Sequence, residues 1–301
     1  MDLCRKCFAD SVETKVRRTI TKRQMLEPDD TVALALSGGK DSVTLLQILW
    51  KLERRFPPAR LIALTVDEGI IGYRSEAISI SREVCEELRI KHVVVSFDGL
   101  FGVRMDDIAS KPNELQPCSY CGVLRRKALN EGARQLGATK LATAHNLDDE
   151  AQTGLLNVMH GDVERILHSC QNTAKAPASF IPRIKPLAEV PERETALYAY
   201  ATGVRFQTTP CPYGHDALRG DIRMMLNRLE LKHPGLKYTI TRSVEKLSET
   251  TGRTEKHRAF RECSICGDPT PNKVCEACLM LRTLRTGGRV TREGTLPADR
   301  S

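Results

Sequence analysis

TVALALSGGKDSVTLLQILWKL, residues Thr31 to Leu52, joins a short apolar run, a glycine turn and a helical repeat of apolar residues. Thr31 to Leu36 has the length and composition of a buried strand, and SGGK turns the chain into the following helix. Working outward, LIALTV (Leu61 to Val66) is a second strand that ends at Asp67 and Glu68. A helix is expected over Ser75–Leu88 and a third strand, HVVVSF, over His92–Phe97. After a polar stretch come the helix GVLRRKALNEGARQLG and the strand TKLATA (Thr139 to Ala144), which runs into HNLDDEAQTGLLNVMHG. Residues 172–188 read as a loop crossing the active face, with helices around Arg193–Thr202 and Asp216–Leu231. Short apolar strands alternating with amphipathic helices predict an α/β fold with a parallel sheet covered on both faces.

The flanks differ from this centre. Val12 to Leu26 carries Lys15, Arg17, Arg18, Lys22 and Arg23 among Val16, Ile20 and Met25, which predicts a basic helix after a cysteine-bearing start. The expected division is 1–26 for the N-terminal cysteine pair and basic helix, 27–240 for the catalytic domain, 241–285 for a zinc-binding module and 286–301 for a basic tail. With 301 residues, 41% of them hydrophobic, the chain can bury a sizeable core, and 5% aromatic content makes that core aliphatic. The net charge of +8 suits a partner that is a polyanion, without choosing one. No apolar run approaches the roughly 20 residues that span a bilayer. The N-terminus lacks the apolar stretch and cleavage site of a signal peptide. A cytoplasmic location is therefore expected, where stable disulfides are uncommon. The eleven cysteines then read as metal ligands in the main, not staples.

SGGKDS (Ser37 to Ser42) lies where a strand meets a helix, a place that aims free backbone N–H groups and a positive helix end at an anion. Gly38 and Gly39 allow phosphate to approach the backbone, Ser37 and Ser42 can donate hydroxyl bonds, and Lys40 adds charge. Asp41 is placed to hold a magnesium ion that bridges phosphate oxygens. The spacing is not that of the Walker loop. The hexamer resembles the pyrophosphate-binding loop of the PP-loop ATPases, which cleave ATP to AMP and pyrophosphate while adenylating a substrate oxygen. That resemblance puts the adenine near Leu36 and Val66. AHNLDDEA resembles a second family turn, with Ala144 in place of glycine and Asp149 at a position needed for catalysis. Read without the resemblance, His145, Asp148 and Asp149 form a helix N-terminus capped by acids.

The cysteines fall into three sets. Cys263, Cys266, Cys275 and Cys278, spaced C-x2-C-x8-C-x2-C, suit a structural zinc site with no open position. Cys118 and Cys121 with the distant Cys211 make an incomplete zinc site but a suitable 4Fe–4S site with one iron left open. A redox-active C-x-x-C pair, with Cys211 an ordinary buried thiol, is the competing reading. Cys4 and Cys7 need two more ligands to close a zinc site. Cys85 and Cys170 sit in helical stretches and read as small buried hydrophobes.

Taken in order, SGGKDS, VDEGIIGYR, CSYCGVLRRKALNEGARQLGA, HNLDDEAQT, PCPYGHDALRGDIR and the final quartet resemble the TtcA/TtuA superfamily. The match is best in its branch of cytoplasmic tRNA 2-thiouridine synthetases, the tRNA 2-thiolation proteins, and covers nearly the whole chain. The resemblance implies a PP-loop (adenine nucleotide alpha hydrolase-like) domain with a C-terminal zinc ribbon, acting as an ATP-dependent tRNA-uridine 2-sulfurtransferase. ATP and Mg2+ at Ser37–Ser42 would adenylate the C2 oxygen of a uridine, by branch the wobble uridine. Sulfur held at the 4Fe–4S cluster of Cys118, Cys121 and Cys211 would then displace AMP. Arg125 stands where relatives carry a catalytic Lys or Arg, and its alternative role, with Arg126, is phosphate contact. The resemblance implies tRNA as substrate, a ubiquitin-like thiocarboxylate carrier or sulfide as sulfur donor, and a homodimer or a heterodimer with a related subunit. The departure is at Cys4 and Cys7, which match only the second half of the family's N-terminal zinc finger.

Rival readings are thiolation of a T-loop uridine or a cytidine, a noncatalytic tRNA-binding subunit, and an amide-forming PP-loop ligase. The intact Ser37–Ser42 loop with Asp149 argues against a noncatalytic subunit. The metal-ready cysteines are unexplained by an amide ligase.

Overall fold

In the computed structural model the chain is described over residues 3–53, 60–111, 115–163, 166, 181–214, 217–251 and 261–286. Five parallel strands lie in the order β3-β2-β1-β4-β5, with β1 Thr31–Ala35, β2 Arg60–Asp67, β3 Lys91–Ser96, β4 Lys140–Ala142 and β5 Arg183–Ile184. Thr31 pairs with Arg60 and Ala35 with Leu64 on one side of β1, and Val32 pairs with Lys140 on the other. β5 is a strand inside the region where the sequence suggested only loop. It adds Arg183 and Ile184 beside Leu141 and Ala142. The part of that loop from 172 to 180 lies outside the described residues, as do Cys170 and residues 287–301 of the expected tail.

The order matters more than the count. From β1 the chain steps outward to β2 and β3, then returns to place β4 on the other side of β1. Such a reversal opens a crevice at the carboxyl ends of the two central strands, the usual ligand position in an open α/β sheet. The SGGKDS turn after β1 and the HNLDDEA turn after β4 both border that crevice.

Helices cover both faces. On one side lie α1 (Arg5–Lys22), α2 (Lys40–Glu53) and α3 (Arg74–Leu88). The other carries the short α4 (Phe97–Phe101) and α5 (Met105–Ala109), which the sequence showed only as a polar stretch, and the long α6 (Pro117–Gln135). Neighbouring residues of β1 divide between the faces, as the period of two in a strand requires. Leu34 joins Leu45, Ile48 and Val84 on the α2–α3 side, and Ala33 joins Phe97, Leu124 and Ala128 on the α6 side. Burying α6 this closely needs a glycine: a Cβ at Gly132 would stand 2.9 Å from Leu64.

Three further helices complete this unit: α7 (Leu147–Met159) after β4, then α8 (Glu192–Thr202) and α9 (Ala217–Lys232). A fourth, α10 (Leu236–Thr251), packs on α7 where Gly154 comes against Val244. The boundary expected between 240 and 241 therefore falls inside a helix that packs on the α/β unit. At the other end α1 begins at Arg5, earlier than the expected Val12. Lys15 to Glu194 (2.6 Å) ties it to α8, and Glu13 to Lys51 (2.5 Å) ties it to α2.

After residue 260 the chain forms a separate small unit. Strands β6 (Arg261–Glu262) and β7 (Pro269–Thr270) pair antiparallel and lead to α11 (Glu276–Thr286), with the four-cysteine cluster between them, as in a zinc ribbon. Ala277 and Met280 of α11 join the core beneath α6, and Asp268 binds Lys127 of α6 at 2.5 Å.

Candidate functional site

The phosphate loop is held open by its own hydroxyls. Ser37 and Ser42 bond to each other (3.0 Å), the Ser42 hydroxyl donates to the Gly39 carbonyl (2.9 Å), and the Ser37 N–H reaches Ser42 Oγ (3.2 Å). The two glycines have different tasks. Gly38 has φ +83° and lies against α3, where a Cβ would meet the Ala77 carbonyl at 2.8 Å. Gly39 has only Ser37 Oγ nearby, at 3.6 Å, so the space above it stays free for a ligand.

Three acids converge beside this loop. Asp41 is bound by the Lys40 ammonium (2.9 Å) and by the Thr195 hydroxyl from α8. Glu192 takes the other side of Lys40, also at 2.9 Å. Asp149 sits at the start of α7 in a capping box: Asn146 accepts from its N–H at 3.0 Å, and its carboxylate accepts from the Asn146 N–H at 3.1 Å. Burial pushes the Asp149 carboxyl up to about 6, and the negative charges of Asp41 and Glu192 add to the rise. A capping role and a place in the crevice are thus both true of Asp149. Its neighbour Asp148 faces away, bound by Lys237 of α10 and accepting from the Glu192 N–H at 2.8 Å.

The side chains of Leu36 and Val66 pack into the core. Both are buried, in opposite halves of the core. Only their backbone borders the crevice, with the Leu36 carbonyl bonded to the Thr65 hydroxyl (2.8 Å) and the Val66 carbonyl to Arg74 (2.5 Å). Ala144 is half-buried against the core.

The second group lies at the start of α6. This helix begins at Pro117, a residue suited to a first helical turn, so Cys118 and Cys121 fall three apart on one helix face. Cys211 arrives from the segment after α8. Cys118 Sγ donates to the carbonyl of Tyr213 at 2.7 Å, and Cys121 and Cys211 line the same edge of the core. Burial pushes the Cys121 thiol up to about 11, opposed by the nearby Arg125 charge.

Arg125 joins the two groups through residues that sequence reading had not singled out. Its Nη2 donates to Cys121 Sγ (3.1 Å) and its Nε pairs with Glu68 Oε1 (2.7 Å). Glu68 is buried, and its other oxygen pairs with Arg74 at 2.6 Å. Arg74, also buried, donates to the carbonyl of Ser37 in the phosphate loop at 3.1 Å. A continuous line of charge therefore runs from a cysteine to the phosphate loop. The hints in sequence were an acid at the end of β2 and an arginine at the start of α3.

The two cysteine groups fit different metal centres. A tetrahedral site with Zn–S bonds of about 2.3 Å sets its sulfurs about 3.8 Å apart. Cys266 and Cys275 stand 3.7 Å apart, and all four sulfurs of the quartet lie within 4.8 Å of one another. Burial opposes ionisation of Cys263, but N–H groups of Cys275, Ile265 and Cys266 prevail and draw it down to about 6. Cys118, Cys121 and Cys211 gather around the start of α6 as three thiols, the donor number of a cluster with one iron left open. Cys4 and Cys7 lie exposed on the first turn of α1. Among the described residues no further ligand gathers with them.

A family model described as a PP-loop domain matches residues 10–230. The chain is 40% identical to tRNA 2-thiolation protein NcsA of Haloferax volcanii, over 94% of this chain and 93% of that protein. The chain belongs to the PP-loop family, in its tRNA 2-thiolation branch. This branch membership extends to eukaryotes: the cytoplasmic tRNA 2-thiolation protein 1 of Chlamydomonas reinhardtii is 37% identical over 95% of this chain and 80% of its own length. Among solved structures, the U34-tRNA thiolase NcsA from Methanococcus maripaludis, with its [4Fe-4S] cluster, superposes with a TM-score of 0.81. It is 37% identical, and the match covers 92% of this chain and 88% of that one. Among the described residues no helix is long and apolar enough to cross a membrane.

Proposed function

We propose that this chain is an ATP-dependent tRNA-uridine 2-sulfurtransferase acting in the cytoplasm on the wobble uridine. The observation that carries the reading is the Arg74–Glu68–Arg125 line, which holds a phosphate loop and a three-cysteine group in one frame. ATP lies along Ser37–Ser42, its phosphates received by the loop N–H groups and the start of α2. Mg2+ is held by Asp41 with Asp149, where a cation relieves the mutual repulsion of the acids. The uridine C2 oxygen attacks the α-phosphorus, and the bond to pyrophosphate breaks. Arg125 faces the negative charge that develops in that step.

Cys118, Cys121 and Cys211 hold the cluster, which when bound offers an iron free to carry an exogenous sulfur ligand. Sulfur replaces AMP at C2, so one C–O bond breaks as one C–S bond forms. Arg125 and Glu68 keep Cys121 fixed relative to the loop during both steps. The quartet holds Zn2+ in a structural module, and residues 27–240, with α10 to its end at 251, form the catalytic unit. The sulfur donor is a thiocarboxylate carrier or sulfide, and two chains form the working particle.

Iron, acid-labile sulfide and zinc in anaerobically purified wild type and Cys211→Ala test this reading, together with 2-thiouridine in tRNA. Iron and thiouridine lost in the variant while zinc persists is the expected result. Wild type that forms thiouridine without iron overturns the cluster route, and wild type that forms none with ATP and sulfide overturns the function.

A further inference from the structure

On the far side of α6 from Glu68, that helix and the zinc module enclose a groove of about 370 Å3. Arg126, Lys127, Arg134 and Arg183 line it, against the acids Asp268 and Glu276. Lys127 (2.5 Å) and Arg134 (3.6 Å) are engaged by Asp268, the contact that fastens the module to α6. Arg126 approaches Glu276 at 4.0 Å.

Arg183 differs from these. Its Nη2 donates to the Arg126 carbonyl (3.2 Å) and to Asn130 Oδ1 (3.0 Å), both neutral acceptors. Among the described residues no carboxylate pairs with it. Burial, with the charge of Arg126 added, lowers its pKa to about 10. A guanidinium has five N–H donors in a fixed fork that matches two oxygens of a phosphate. Half-buried beside a second arginine, with neutral acceptors on its Nη2, Arg183 keeps a charge that an entering anion completes.

We propose that this groove is a phosphodiester subsite for the RNA substrate, with Arg183 and Arg126 as its contacts. The inference rests on the tRNA-thiolation reading and adds where the backbone is gripped. Arg126 lies five residues beyond Cys121, about 8 Å along the helix axis. A uridine presented to the cysteines therefore brings the phosphate of a nearby nucleotide to the groove. Such contacts fix register on the RNA and carry no base information.

The test is tRNA affinity against salt concentration for the metal-loaded protein. Wild type, Arg183→Gln, Arg126→Gln, the double variant and Arg82→Gln, an exposed charge on α3, are compared. Each lost phosphate contact should make the slope of log K against log salt shallower by about 0.7 to 0.9 and weaken binding several-fold at low salt. Arg183→Lys should keep most of the slope, and Arg82→Gln all of it. Equal iron and zinc contents establish that the variants are folded, and the exposed Arg126 gives a readout even where Arg183→Gln fails to fold. A wild-type slope in Arg126→Gln and in the double variant overturns the subsite while leaving thiolation intact. Arg183-dependent binding of inorganic phosphate with no change in the tRNA slope also overturns it, as a site for the free anion. Wild type that binds no tRNA at all overturns the functional reading instead.

Discussion

Arg125 and Glu68 form an ion pair between unequal environments: the Arg125 side chain is 48% exposed and the Glu68 side chain 3%. Glu68 anchors in the core, and Arg125 carries its influence out to Cys121. With Arg74 also buried, one carboxylate separates two guanidinium groups. Removing its charge leaves a buried cation without its partner, a change that costs about 3 kcal/mol or more. Glu68→Gln should therefore lower the melting temperature, raise KM for ATP through the freed Ser37 carbonyl contact, and reduce kcat. A variant with wild-type ATP affinity and wild-type turnover would show that the line of charge couples nothing.

Asp149 sets a pH limit. Its folded pKa of about 6 lies above the ordinary value of 3.8, so the folded protein holds this proton more tightly than the unfolded chain. The group's contribution to stability is full below pH 4 and is lost as pH rises through about 6. Asp149→Asn should abolish thiolation yet melt higher than wild type at pH 7.5, by on the order of 2 kcal/mol, with the gap closing below pH 4. Turnover of the wild type should rise with a midpoint near pH 6 at low Mg2+ and lower at saturating Mg2+. A midpoint that ignores Mg2+ would separate Asp149 from the cation.

Gly38→Ala tests the loop. The substitution meets the Ala77 carbonyl and forces a left-handed backbone on an L-residue. Gly38→Ala should lower the melting temperature together with ATP affinity, whereas Gly39→Ala should melt as wild type and lose ATP affinity alone. Thermal melts and isothermal titration with ATP separate the two, and a Gly39→Ala variant with wild-type ATP affinity would contradict the assignment of their tasks.

The quartet and the three-cysteine group should fail independently. Cys275→Ser is expected to lose zinc and to loosen the module where Asp268 meets Lys127, while iron stays at wild-type content. Metal analysis on one preparation decides it, and loss of both metals together would mean that the centres are not separate.

Much of this was legible in the sequence because the signals are local. A strand, a glycine turn and a helix announce the phosphate loop, and C-x2-C pairs announce the zinc module. The line from Cys121 to Ser37 was not legible, since Arg125, Glu68 and Arg74 come from three elements and share no spacing. VDEGIIGYR carries a family resemblance that gives no task to its acid or its arginine. α10 follows Pro234 and Gly235 without a motif, and its apolar residues find their place only in the fold, against α7 and, through Ile240, beside Ile222 and Leu226 of α9. Leu36 and Val66 are legible as strand ends, whereas the burial of their side chains in two different halves of the core shows only in the fold.

The segment leading to Cys211 has one more consequence. Gln207 bonds its N–H to the Gly38 carbonyl at 2.8 Å, and its side chain and that of Thr209 hold to Glu76. Only three residues then stand between Gln207 and Cys211, four steps of chain that reach at most about 14 Å when fully extended. The molecule thus gauges the gap between its two chemistries with a ruler of fixed length, one end zeroed on the phosphate loop itself. An extra residue between 207 and 211 would delete no functional side chain and still set the third cysteine at the wrong distance.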